Sequence, residues 1–446
     1  RRVFLYASEY ICTMPIETLY ELFQKHPLVE TDTRHLKPGC IFFALRGDNF
    51  NGNQFAKQAL EAGAAAAIID DSAYYVDERT IVVENTLTTL QQLAKFHRQQ
   101  FNIPFIAITG SNGKTTSKEL VNAVLASNFR TYTTQGNLNN HIGIPLTLLR
   151  VQKDAEIAVI EMGANHQQEI AGYCTYALPT YGIITNCGKA HLEGFGGVEG
   201  VRKGKGELYD FIRANHGTIF LNQDLDYLHP MSQGITNVIT YGTKDAQTIG
   251  EIKSANPYLN VSIQKTSHNN TNLFSDIHTQ LVGDYNLANV LLAVSVGTHF
   301  NVPPEKIKKA LEAYQPTNSR SQLIQKNTNT IILDAYNANP SSMQVAIQNF
   351  SKLDAAQKVL LLGSMAELGE ESMQEHQQLV NLLLSYKWKE VVLVGDGFGE
   401  LSHPYIQLKN SSEAADWFRS QNFSNTHFLI KGSRSMKMET ILSESK

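Results

Sequence analysis

The chain has 446 residues, with 38 lysines and arginines against 42 aspartates and glutamates, a formal net charge of −4. That length sets an expectation of about two to four domains, each able to bury its own core. Dispersed, nearly balanced charge argues against nucleic-acid binding and a polybasic membrane anchor. No apolar run approaches the roughly 20 residues that span a bilayer, so no membrane insertion is expected. Four cysteines, Cys12, Cys40, Cys174 and Cys187, show no C-x-x-C spacing. They read as reduced thiols of a cytoplasmic protein. Arg1 to Thr13 lacks both a continuous apolar stretch and a small-residue cleavage site, and reads as an upstream extension instead of a secretory signal.

From Met14 the segment Pro-Ile-Glu-Thr-Leu-Tyr-Glu-Leu-Phe23 predicts a first amphipathic helix. Short apolar runs then alternate with helix-compatible stretches, the pattern of parallel α/β architecture. A first block, 1–102, has strand candidates at 41–45, 64–69 and 80–83 and a closing helix over 87–101. A linker at Asn102-Ile103-Pro104 opens a second block, 103–315, with strands at 105–108, 157–160, 181–184 and 217–221. Between 222 and 276 the pattern weakens toward a small antiparallel or mixed subregion, and helices follow over 286–298 and after Pro303-Pro304. Gln315 to Ser319 breaks the helical pattern, and a third block, 316–446, has strands at 330–333, 359–362, 391–394 and 428–430.

The residues Thr109-Gly-Ser-Asn-Gly-Lys-Thr-Thr116 stand between an apolar strand and a helix-compatible run. Glycines let backbone N–H groups converge on phosphate, the helix N-terminus favours anions, Lys114 supplies charge and Thr115 can ligate magnesium. Gly110 to Gly113 is a shortened form of the usual loop, since Ile108 stands where its first glycine would be. Glu161, at the carboxyl end of the 157–160 strand, is a magnesium candidate, and His191 lies in a glycine-rich strand-end segment. Gly395-Asp-Gly-Phe-Gly-Glu400 lacks the third glycine of a dinucleotide loop and reads as a simple connection. His376 reads as a packing residue.

Taken in order, the phosphate loop, Gly136-Asn-Leu-Asn-Asn140, Glu161 to His166, Ala190 to Gly196, Asp334 to Pro340, Met365-Ala-Glu-Leu-Gly369 and Lys431-Gly-Ser-Arg434 resemble the Mur ligases. The resemblance runs from Met14 onward. It implies three α/β domains: an N-terminal UDP-substrate domain, a central P-loop ATPase domain and a C-terminal Rossmann-like domain. It also implies an ATP-dependent amide ligase of peptidoglycan precursor synthesis that adds D-alanyl-D-alanine to UDP-MurNAc-tripeptide; a monomer is expected.

By resemblance, Thr109, Gly110, Ser111, Asn112, Gly113, Lys114, Thr115 and Thr116 would hold ATP, with Asn286 and Asn289 at the adenine and Arg320, Asp334 and Tyr336 reaching it from the third block. Thr115, Glu161, His191 and Lys205 would hold magnesium, Lys205 as a carbamate formed with carbon dioxide. Lys114, Glu161, His191, Lys205, Arg320 and Asp334 would form the catalytic set. Substrate binding would fall to Thr33, Arg34, Asn137, Asn139, Asn140, His166, Asn337, Asn339, Lys431, Ser433 and Arg434. Ser319 stands before Arg320 where relatives more often have glycine. A Mur-type ligase adding the third peptide residue and a folylpolyglutamate synthase are the nearest alternatives. Asn137 to Asn140, Tyr336 to Pro340 and the lack of a D-N-P-R motif weigh against them. A P-loop nucleotide switch is more remote, because it needs no additional substrate domains.

Overall fold

The computed structural model describes residues 14–266, 276–317 and 319–443; residues 1–13, read above as an extension and including Cys12, and Asn318 of the second linker candidate lie outside them. Two compact units emerge. One comprises residues up to 107 with 130–162 and 171–180, and the other 108–129, 163–170 and 181 onward.

In the first unit, Val29–Glu30, Ile41–Phe43, Ala66–Ile69 and Thr80–Val82 form a parallel sheet in that order. Every residue of Ile41–Phe43 and Ala66–Ile69 is buried, which is why these strands read as unbroken apolar runs. Helices Ala56–Glu61 and Thr86–Arg98 pack on this sheet. Asn85 caps the second of them, its side-chain oxygen accepting from the Thr88 N–H at 2.8 Å. The same helix packs against Gly143–Leu149. Thr131–Thr133 runs parallel to Ile157–Glu161.

The carboxyl end of helix Thr86–Arg98 is tied down by two buried polar side chains. His97 lies between the Tyr20 hydroxyl, 3.1 Å from Nδ1, and the Val151 carbonyl, 2.8 Å from Nε2. Arg98 donates to the carbonyls of Ala177, Phe101 and Leu178 at 3.1, 2.9 and 2.9 Å and lies 3.7 Å over the Phe105 ring. Burial draws its pKa down to about 10. Arg98→Ala would orphan those carbonyls and remove the ring contact. Urea unfolding is expected to show a loss of about 3 kcal/mol, and a loss within about 0.5 kcal/mol would refute this anchoring role.

In the second unit, Tyr181–Ile184, Thr218–Asn222, Asn237–Gly242 and Thr248–Ala255 pair in parallel, and Tyr258–Lys265 and Ile277–Val282 extend the sheet antiparallel. The weakly patterned stretch before 276 is therefore mixed. Thr109 lies beside the first of these strands, its carbonyl accepting from the Thr185 N–H at 2.9 Å. Helix Leu287–His299, buried at ten of its residues, packs on helix Lys114–Ala126 and on the sheet.

A second sheet follows in the order Gln322–Lys326, Asn329–Asp334, His427–Lys431, Lys358–Gly363, Glu390–Val394, Ile406–Leu408, parallel except for its first strand. Ser319, just before it, has φ +56° and accepts from the Tyr336 N–H at 3.2 Å. Left-handed backbone costs a non-glycine residue about 1–2 kcal/mol, partly offset by the chain entropy a glycine loses on folding. Ser319→Gly is therefore expected to stabilise the protein by about 0.5–1 kcal/mol in thermal or urea unfolding. A destabilised variant would refute that.

Candidate active site

At the carboxyl end of the fully buried strand Phe105–Thr109, the chain turns through Gly110 (φ +145°) and Gly113 (φ +77°) into helix Lys114–Ala126. A Cβ on Gly110 would stand 2.0 Å from the Thr185 hydroxyl, so only glycine fits. The loop is pinned by its neighbour segment. Ser111 N and Asn112 N donate to Asn186, at 2.9 Å each, and Thr185 Oγ1 and Asn186 Nδ2 donate to the Asn112 carbonyl at 2.7 and 3.0 Å. Lys114 Nζ folds back over the loop, donating to the carbonyls of Gly110 and Ser111. A helix N-terminus entered through left-handed Gly113, with a lysine amine held over the loop before it, is an arrangement suited to an anion.

Beyond the loop, a one-way chain of buried side chains runs from Ser117 Oγ to Asn289 Oδ1, from Asn289 Nδ2 to Asn286 Oδ1 and from Asn286 Nδ2 to the Val282 carbonyl, each step 2.9 Å. The two asparagines assigned to adenine thus also tie the phosphate-loop helix to the end of a strand.

Lys205, on helix Val198–Ala214, is 1% exposed. Its Nζ donates to the Ala164 carbonyl at 3.0 Å and lies 4.8 Å over the Phe195 ring. Burial, reinforced by the charge of Lys114, lowers its pKa to about 7. Nearby Cys187 is pushed the other way by burial, to about 12, and is no nucleophile. His166 lies against Gly194, where a Cβ would stand 2.9 Å from its Nε2, and its backbone N–H is held by Glu169 at 3.0 Å.

His191 has φ +52° and pairs with the carboxylate of Glu367, itself at φ +61°. That hydrogen bond holds the Glu367 carboxyl below its ordinary range. Two non-glycine residues in left-handed backbone, facing one another, mark a strained site. Sequence reasoning quoted the Met365–Gly369 motif without assigning Glu367 a role. It did not single out Ser341, whose hydroxyl accepts from Lys189 N at 2.9 Å.

From the second sheet of this unit, Asn339 caps helix Pro340–Lys352 and donates to the Asn112 side chain at 2.8 Å. The Arg320 guanidinium stacks 3.6 Å over the Tyr336 ring, with Arg434 5.7 Å from it. Asp334 accepts from Lys431 Nζ at 2.6 Å and Ser321 N at 3.1 Å, and Lys431 also donates to the Asn337 carbonyl at 3.2 Å. Ser433 Oγ is 3.0 Å from Ser435 Oγ.

In the first unit, buried Glu161 receives Asn139 Nδ2 at 2.9 Å, and its N–H is held by Thr134 Oγ1 at 3.0 Å. Asn140 Oδ1 accepts from Ile142 N and Gly143 N at 3.1 and 2.8 Å, starting the next helix, and Asn137 accepts from Asn139 N through its carbonyl. Thr33 and exposed Arg34 stand on a 3-10 turn where Arg34 grips both carboxylate oxygens of Asp32 through Nε and Nη2, holding that carboxyl well below its usual range. Among the described residues, no three His, Cys, Asp or Glu side chains group as a metal site, and no helix is long and apolar enough to cross a membrane.

A glycine loop between the carboxyl end of a buried strand and a helix N-terminus, met by Asn339 from beside a second α/β sheet, fits a nucleotide-using enzyme of the ligase type. The chain belongs to the Mur ligase family: residues 27–98 match the profile described as Mur ligase family, catalytic domain, 108–297 the Mur ligase middle domain, and 319–431 the Mur ligase, glutamate ligase domain. It is 33% identical to the UDP-N-acetylmuramoyl-tripeptide–D-alanyl-D-alanine ligase of Bacillus subtilis and 34% identical to that of Escherichia coli, each over 93% of this chain and 92% of the relative. The structure resembles MurF from Acinetobacter baumannii at a TM-score of 0.85 and 31% identity, covering 96% of this chain and 97% of that one. It resembles MurF ligase from Thermotoga maritima in complex with ADP at 0.83 and 25%, covering 95% and 97%. A folylpolyglutamate synthase from Mycobacterium tuberculosis, at 15% identity and a TM-score of 0.61, shares the fold alone.

Proposed function

We propose that this chain is an ATP-dependent ligase joining D-alanyl-D-alanine to UDP-N-acetylmuramoyl-tripeptide, a step of peptidoglycan precursor synthesis, acting in the cytoplasm as a monomer. The observation that carries this reading is its end-to-end likeness to ligases of that activity, at 33% and 34% identity. A carboxylate has no leaving group that an amine can displace at neutral pH. Its oxygen attacks the γ-phosphorus of ATP and ADP departs; the amine then attacks the carbonyl carbon of the acyl phosphate, phosphate leaves as the C–O bond breaks, and the nitrogen gives up a proton to leave the amide.

Such chemistry asks the protein for alignment and charge neutralisation, and for no nucleophile of its own. Thr109 to Thr116 cradle the phosphates, Lys114 neutralises their charge, Asn286 and Asn289 face the base, and Arg320, Asp334 and Tyr336 close on the nucleotide from the second sheet. Thr33 and Arg34 hold the UDP end. Asn137, Asn139, Asn140, His166, Asn337, Asn339, Lys431, Ser433 and Arg434 position the peptide and the dipeptide.

Magnesium, held by Thr115, Glu161, His191 and the Lys205 carbamate, would supply further neutralisation of phosphate charge. What supports the carbamate is the buried Lys205 amine with its pKa lowered to about 7. Near neutrality a large fraction of it is uncharged, so its lone pair can attack carbon dioxide and release a proton. The charge at this position then changes from positive to negative, as a cation site requires.

The test is incubation with ATP, magnesium and each UDP-muramyl peptide, with D-alanyl-D-alanine or single amino acids, products being read by mass. UDP-muramyl-pentapeptide formed only with the tripeptide and the dipeptide is expected. Addition of a single amino acid, or ADP release without either substrate, would overturn the reading.

A further inference from the structure

The short segment Gly188–His191 is held from two sides. Toward the phosphate loop, Gly188 exchanges two hydrogen bonds with the Ser111 hydroxyl, each 3.0 Å. Toward the six-stranded sheet, Lys189 Nζ meets Glu375 Oε1 at 2.5 Å, Lys189 N donates to Ser341, and His191 pairs with Glu367. Glu375 is 3% exposed, on helix Ser372–Leu384. Its neighbour His376 accepts the Met365 N–H at 3.0 Å, which fixes the loop carrying Glu367.

From this we infer that Lys189 and Glu375 are positioning residues: their ion pair is the latch through which nucleotide on the phosphate loop orders the segment 365–380. Four features point the same way. The pair joins residues 186 positions apart. The carboxylate is buried and the lysine is its cation, so the pair forms well only when the two sheets are in register. The segment it holds is hydrogen-bonded to the loop that receives phosphate. That segment also ends in His191, whose partner Glu367 sits on the loop that His376 fixes. The inference rests on the nucleotide reading of that loop. Coupling of this kind is reciprocal: nucleotide favours the latched state by the factor with which the latch favours nucleotide.

The experiment uses the full chain with ADP and magnesium, reading hydrogen exchange by mass spectrometry and affinity by calorimetry. In the wild type, ADP is expected to slow exchange over 365–380 by about tenfold, within the usual range of such couplings. Lys189→Met should abolish that protection and weaken ADP binding by a similar factor, while Lys189→Arg should restore both. Because Lys189→Met strands a buried carboxylate, the double variant Lys189→Met/Glu375→Gln is the decisive one. It should recover thermal stability without recovering ADP-dependent protection. Wild-type protection and affinity in the double variant would overturn the latch and leave the nucleotide site standing. Failure of the wild type to bind ADP would remove both.

Discussion

Lys114→Ala is expected to lower turnover by on the order of a thousandfold while leaving the unfolding transition nearly unchanged. The glycines at 110 and 113 that set the loop's path would remain, as would the bonds from Asn186 that pin it. What would be lost is the Lys114 cation folded over the loop carbonyls, the charge proposed above to neutralise the phosphates. Single preorganised charges at phosphoryl or oxyanion sites are worth about 10²–10⁵ in rate, so the effect should fall on kcat more than on substrate KM. Phosphate release measured under saturating substrates checks it. A variant that releases ADP at the wild-type rate would remove Lys114 from the site.

Lys205→Ala is expected to be comparably inactive and to regain part of its activity in short-chain carboxylates, which can stand in for a carbamate. The wild type should show a matching dependence on dissolved carbon dioxide. Lys205 has its folded pKa lowered to about 7 from 10.5, so the native state binds fewer protons than the unfolded chain between those values. For the unmodified amine, stability therefore rises with pH through that window and is lowest below pH 7, where the buried ammonium is charged in both states. Carbamate formation needs the neutral amine. Stripping bicarbonate should thus inactivate most readily below pH 7, and adding it back near pH 8 should restore activity. Full activity of Lys205→Ala in carboxylate-free buffer would dismiss the residue from the mechanism.

The central strands and the phosphate loop were legible in the sequence because they are locally encoded. Ile41–Phe43, Phe105–Thr109 and Lys358–Gly363 are apolar on both faces, so each announces itself as a run. Val29–Glu30, Thr131–Thr133, Gln322–Lys326 and Ile406–Leu408 escaped notice because they are short and half polar, and become strands only by pairing with a buried neighbour. The site divides the same way. Lys114 and its glycines sit in one octapeptide, whereas Glu367, Ser341, Lys189 and Glu375 acquire meaning only from partners more than 150 residues away. A left-handed glutamate leaves no mark in composition or periodicity. The motif around it was visible, and so was His191, but not that the two would meet.

The anchors at the end of helix Thr86–Arg98 bear on how the polypeptide can be dissected. Leu90, Leu93, Ala94, His97 and Arg98 are all buried, and His97 and Arg98 reach Val151, Ala177 and Leu178. A fragment stopping at the apparent linker of 102–104 would keep its four-stranded sheet but strip the covering from that helix, leaving an oily stripe and a guanidinium with two of its carbonyl partners gone. In the intact chain that covering comes from helix Gly143–Leu149 and from the backbone of Val151, Ala177 and Leu178, all of which follow the apparent linker in sequence.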